Sequence, residues 1–282
     1  MISKLRSLAW PPHQHFILTR ARPAALMSHW QPWARSLIGV LWLLAWFVAA
    51  PAVAGISLVG TASNTGTTNV TVTLPGGVQQ DDVVYVWACS SSTSDINVAE
   101  GSGNYAELAD LYSNDNTDIN CGLYRRVQPA SPDTSVTVDA GDTHAAVMIV
   151  LRCVDTATPE DAATTTIQAQ TNGGTPNPPS ITTVTDNAWV LPWGGSSEAD
   201  AVSNPPTNYG NLIDIQGTAV NAMGATRLIA AFGAEDPGTY ADVVGTVADS
   251  WVAATLAARP DAGAGCNPTC APSLTLLGAG EC

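Results

Sequence analysis

Residues 104–110 read "NYAELAD", and residues 208–214 of the same 282-residue chain read "NYGNLID". Three further segments recur in the same order. "DDVVYVWAC" (81–89) matches "DNAWVLPWG" (186–194), "CGLYRRV" (121–127) matches "MGATRLI" (223–229), and "DTHAAVMIVLR" (142–152) matches "DSWVAATLAAR" (249–259). The offsets, 105, 104, 102 and 107, are nearly constant. Four ordered matches point to an internal duplication with a period of about 105 residues. Two copies are too few to stack as a solenoid, so they must cover each other's apolar surface.

Each copy reads as β-structure. Val, Thr, Tyr, Trp and Ile dominate the segments, and clusters of Gly, Pro, Asn, Asp and Ser separate them. "TNVTVTLP" (68–75) and "TSVTVDAGD" (134–142) alternate apolar and polar residues, as half-buried strands do. "DVVYVWAC" (82–89) and "AAVMIVLRCV" (145–154) are continuous apolar runs, suited to central strands covered on both faces. No segment carries a capped helical period over three turns, and "PEDAATT" (159–165) offers one helical turn at most. The expectation is an all-β, two-sheet antiparallel sandwich of ten to twelve strands built from two pseudo-repeats. About five strands per copy would leave a large apolar face bare. One domain over 55–260, with the copies paired or interleaved, is therefore favoured over two small domains joined at "NGGTPNPPS" (172–180).

The ends differ from this body. Residues 1–54 contain no Asp or Glu and hold Lys4, Arg6, Arg20, Arg22 and Arg35. They close on "SLIGVLWLLAWFVAAPAVAG" (36–55), an apolar run behind a basic residue that ends in Ala52-Val53-Ala54. This is the layout of a secretory signal peptide cleaved after Ala54, with residues 27–54 as the peptide and 1–26 upstream of the working start at Met27. An uncleaved anchor is the alternative, but the run is short for a membrane span. Residues 261–282 read as a Cys-containing tail.

Beyond residue 54 the chain has five arginines, no lysine and all 24 acidic residues, a formal net charge of −19. Such a surface repels phosphate backbones, so nucleic acid and anionic membranes are poor partners. Export makes disulfides expected. If strands 81–89 and 121–127 pair antiparallel, the end of one meets the start of the other, which places Cys89 against Cys121. That bridge would close a loop of about 30 residues and contribute ~3–4 kcal/mol. By the sequence match, Gly194 and Met223 take its place in the second copy. Cys153 needs a partner elsewhere, and Cys266 and Cys270 lack the second pair a zinc site requires.

"LYRRVQPASPDTSVTV" (123–138), "AAVMIVLRCVDTATPEDA" (145–162), "SITTVTDNAWVL" (180–191) and "SWVAATLAARP" (250–260) together resemble a β-sandwich module of large bacterial surface proteins and some phage virion proteins. The likeness covers most of 55–260. Cys153 stands where that family's R-G-V-D turn has Gly. The resemblance implies an exported, jelly-roll-like module for display, adhesion or assembly. It carries no catalytic residues to transfer.

Chemistry is sparse. His144 is the sole histidine after residue 54 and matches Trp251 in the second copy, which favours a structural role over a Ser-His-Asp site. No G-x-S-x-G elbow is present, and no two glutamates are spaced as a glycosidase pair. "DLYSNDNTDIN" (110–120) gathers Asp110, Asp115 and Asp118, hard oxygen ligands that suit Ca²⁺. The loop lacks the EF-hand glycine and glutamate, and turn preference alone explains its composition better. No other cofactor is expected. Tyr105, Tyr209 and Trp193 are the candidate sugar-stacking aromatics, against the plainer reading that duplicated tyrosines are core residues. The leading expectation is a non-catalytic secreted or cell-surface module whose partner is a surface glycan or an envelope or appendage protein. A carbohydrate-binding module comes second and a secreted hydrolase third.

Overall fold

The computed structural model describes residues 55–93, 96–114 except 101–102, 117–139, 144–169, 175–199, 201–242 and 250–263. The signal-peptide assignment and, from residue 264 on, the tail assignment therefore lie outside the described residues. Everything described is strand or connection, and all strand pairings are antiparallel. The first half holds β1 (Ser57–Gly66), β2 (Asn69–Thr73), β3 (Val83–Ser90), β4 (Asn97–Glu100), β5 (Gly103–Asn104), β6 (Ala106–Ser113), β7 (Ile119–Val127), β8 (Ser135–Asp139) and β9 (His144–Arg152). The second holds β10 (Thr165–Ala169), β11 (Ile181–Thr182), β12 (Ala188–Ser196), β13 (Val202–Asn204), β14 (Gly210–Gln216), β15 (Asn221–Ile229), β16 (Ala234–Glu235), β17 (Ala241–Asp242) and β18 (Trp251–Ala258). That exceeds the expected ten to twelve because short paired segments stand beside the ten main strands. Residues 159–165 form no helical turn.

Two five-stranded sheets form the sandwich, ordered β1-β9-β3-β7-β6 and β10-β18-β12-β15-β14. Each half builds its own sheet, so the halves pair face to face and do not interleave. Between the sheets lies one apolar core, with Tyr85, Trp87, Leu123 and Ile149 from the first and Leu191, Trp193, Ala254 and Leu256 from the second. Trp87 Nε1 donates to the Gly194 carbonyl at 2.8 Å across this interface. β1 lies against β14 and β10 against β6, so edges meet reciprocally.

The outer faces are covered as well. The sheet β2-β8-β4-β5 closes the first outer face over Val84, Val86, Met148 and Val150. Two-stranded pairs β11–β16 and β13–β17, with Tyr209 and Tyr240, close the second over Val190, Met223 and Ala225. This double coverage is why β3, β9 and β18 are apolar at nearly every position. β2 and β8 have one face in water and keep strict alternation, buried at Val70, Val72, Val136 and Val138.

Register corrects the sequence alignment by one residue in two strands. Cys89 pairs with Cys121 and with Ala145; Gly195 pairs with Ala222 and with Val252. Gly195 and Ala222, not Gly194 and Met223, therefore hold the disulfide's place in the second sheet. The structural match also sets Trp87 beside Trp193 and Asp81 beside Asn187, both left-handed at φ 68° and 62°. A slip of one residue would put these pairs on opposite faces of their sheets.

Candidate functional site

The expected aromatic platform is buried. Trp193 is fully enclosed between the sheets, and Tyr105 and Tyr209 are buried at the strand entries of β6 and β14. Each tyrosine belongs to an equivalent cluster. Tyr105 OH donates to Asp133, which pairs with Arg126 Nε at 3.2 Å, and the Arg126 guanidinium lies 5.7 Å from the Tyr105 ring centre. Tyr209 OH donates to Glu235 at 3.0 Å, Arg227 pairs with Glu235, and its guanidinium lies 5.8 Å from the Tyr209 ring. Burial, then the adjacent carboxylate, pushes both phenols well above their ordinary range. Such rings offer no open face to a sugar. They brace the corners where β6 and β14 begin.

The calcium set is split. Asp110 is exposed on β6 opposite Gly122, whereas Asp118 precedes β7 near the end of the hairpin. Four strand residues separate their levels, roughly 13 Å at the usual rise, so they do not share one ion. Asp115 lies outside the described residues. Asp118 accepts the Tyr112 hydroxyl at 2.6 Å, and that hydrogen bond raises the Tyr112 pKa. Among the described residues no three His, Cys, Asp or Glu side chains converge as a metal site.

The disulfide forms as expected. Cys89 and Cys121 are bonded at a Cα separation of 4.1 Å, fully buried against Gly195 of the second sheet. Cys153 is also disulfide-bonded, with its partner outside the described residues. It adopts φ 67°. The resemblance places Gly at this position, and the backbone is of the left-handed kind that glycine takes without strain.

Above the disulfide a groove of about 360 Å³ opens at the end of the sandwich, lined by Ser91, Thr117, Asp118, Ser197 and Ala219. Both halves contribute, and the Thr117 and Ser197 hydroxyls are hydrogen-bonded across it. Three hydroxyls and a carboxylate suit hydrogen bonding to a polar ligand. Nucleophilic chemistry has less behind it. Ser90 stands opposite His144 in the register, but both are fully buried and Ser90 Oγ makes no hydrogen bond, so no serine–histidine couple is formed.

The opposite end holds what sequence reasoning missed. Every arginine beyond residue 54 sits there, and each pairs with a carboxylate: Arg125 with Glu160, Arg126 with Asp133, Arg152 with Asp82, Arg227 with Glu235 and Arg259 with Asp161. Arg152 reaches Asp82 through two nitrogens, each at 2.8 Å, in a fork geometry. The signal was visible as basic residues at or next to the end of "YRRV", "IVLR", "ATRL" and "LAAR". Glu160 is half-buried beside Tyr85 and the inter-sheet core, and burial raises its pKa more than Arg125 lowers it. Asp214 is likewise raised by burial, although the Val202 amide donates to it at 3.0 Å.

No protein family, curated protein or solved structure matches the chain.

Proposed function

We propose that the chain is a non-catalytic, exported structural module, acting by display, adhesion or assembly on a bacterial surface or virion. One observation carries this reading: all five arginines beyond residue 54 are committed to ion pairs within the domain. The charged groups at that end act on the fold, at strand ends and corners. The reading rests further on the resemblance of the segments within residues 123–260 to surface and virion sandwich modules, and on Cys153 in its left-handed turn. The matched order of the two five-stranded sheets supports an origin by duplication.

A carbohydrate-binding module is the second reading, and it now rests on the groove at Ser91, Thr117, Asp118 and Ser197 rather than on the tyrosines. A binding screen of the purified protein separates the two. A glycan array and intact bacterial envelopes are probed with calcium and with chelator. Saturable retention on envelope protein, with no competable glycan binding, is the expected result. Competable glycan binding abolished by Asp118→Ala would replace the structural reading with the second.

A further inference from the structure

The two ends of the sandwich differ in charge. All five arginines beyond residue 54 sit at one end, each paired with a carboxylate there. The groove lies at the other end. Asp118 lines it, Glu198 follows its Ser197 wall, and the exposed Asp139 ends β8 shortly before the chain enters β9 opposite Ser90. None of these three acids belongs to an arginine pair. No lysine exists beyond residue 54, and His144, the remaining basic side chain, is fully buried. The net charge of −19 is therefore left uncompensated at the groove. A field segregated in this way gathers cations there and turns anions away.

The lining narrows the cation. Ser91, Thr117 and Asp118 come from the first half and Ser197 and Ala219 from the second, so neither half forms the groove alone. The Tyr112 hydroxyl donates to Asp118 Oδ1 at 2.6 Å and holds the carboxylate in place. A primary ammonium is compact, carries three donors and no acceptor, and matches one carboxylate among three hydroxyls. A guanidinium fork asks for both oxygens of a carboxylate, and one of Asp118's is already engaged. Ala219 offers an apolar contact to a methylene stem. A sugar ring gains its stacking from an aromatic face, and the lining has none.

We propose that the groove takes a lysine side chain on a basic segment of a partner protein. The proposal rests on the reading of the chain as a surface or assembly module and names the chemistry of its partner. Fluorescence anisotropy of the whole exported protein, with a labelled lysine-containing peptide and with the same peptide Nε-acetylated, is the test. Saturable binding of the first, weakened by sodium chloride and by acetylation, is expected. Asp118→Asn should weaken it about tenfold or more. Ala219→Lys, which sets an ammonium of the chain's own in the groove, should do the same at an unchanged melting temperature, because Ala219 is only partly buried in the connection from β14 to β15. Asp186→Asn, at an exposed acid of the arginine end, should leave binding as it was. An equal loss from Asp186→Asn would mean diffuse attraction to the whole acidic chain and overturns the proposal. So does an absence of binding, or binding indifferent to Asp118→Asn and Ala219→Lys. Competition by a neutral glycan would give the groove to the carbohydrate reading instead. Envelope retention is read separately: retention without peptide binding sinks this proposal alone, and peptide binding without retention sinks the structural reading alone.

Discussion

Gly195→Ala tests whether the first half's disulfide packs on the second half. An added Cβ at Gly195 would lie 2.5 Å from Cys89 Sγ and closer still to Cys121 Sγ. Neither sulfur can retreat, because each is tied to a central strand and fully buried. Overpacking of this kind costs ~1–3 kcal/mol. In a domain of this size that lowers the melting temperature by roughly 2–12 °C. The same substitution in a Cys89→Ala/Cys121→Ala background should cost little, because two absent sulfurs leave room for one methyl. Losing the bridge itself costs roughly 3.7 kcal/mol from chain entropy. The double-mutant cycle, read by urea unfolding under tryptophan fluorescence, should therefore give a coupling of about 1–3 kcal/mol. Equal cost in both backgrounds would refute the face-to-face packing of the halves at this point.

The pH profile should be tilted towards acid. Burial raises the folded-state pKa of Glu160 and Asp214, so each contributes stability that is complete below its unfolded value and lost as pH rises through the folded one. The urea midpoint should be higher near pH 5 than at pH 8, and Glu160→Gln should flatten the slope; a midpoint that climbs steadily with pH would contradict this. Tyr105→Phe and Tyr209→Phe should each cost about 1 kcal/mol, by loss of one hydrogen bond to a carboxylate already held by arginine. Neither should change glycan binding, and a loss confined to binding would return these rings to a ligand site.

Much of the architecture was legible in local pattern. Alternation in residues 69–73 and 135–139 marked two strands with one wet face, and they pair with each other. Unbroken apolar runs at 83–89 and 145–151 marked strands enclosed on both sides. The Cys89–Cys121 bridge followed from the expected antiparallel pairing of residues 81–89 with 121–127. The candidate site was less legible. Tyr105 and Tyr209 recur at one offset whether they face a sugar or an arginine, and composition does not record which. The acids at 110, 115 and 118 are neighbours in sequence, yet Asp110 and Asp118 stand far apart along one hairpin.

By itself, then, the sequence determined strand type, because side-chain alternation and apolarity are properties of adjacent residues and express which faces meet water. It also led to the expectation of two similar halves, each with a face it cannot leave bare. Only the tertiary structure decided which face meets which. Matching letters aligned Cys89 with Gly194, whereas the pairing with β18 and β15 aligns it with Gly195, since a one-residue slip reverses every side chain. The gathering of five arginines at one end has the same cause. They lie up to 134 positions apart, from Arg125 to Arg259, and are brought together by strands that all finish on that side of the sandwich.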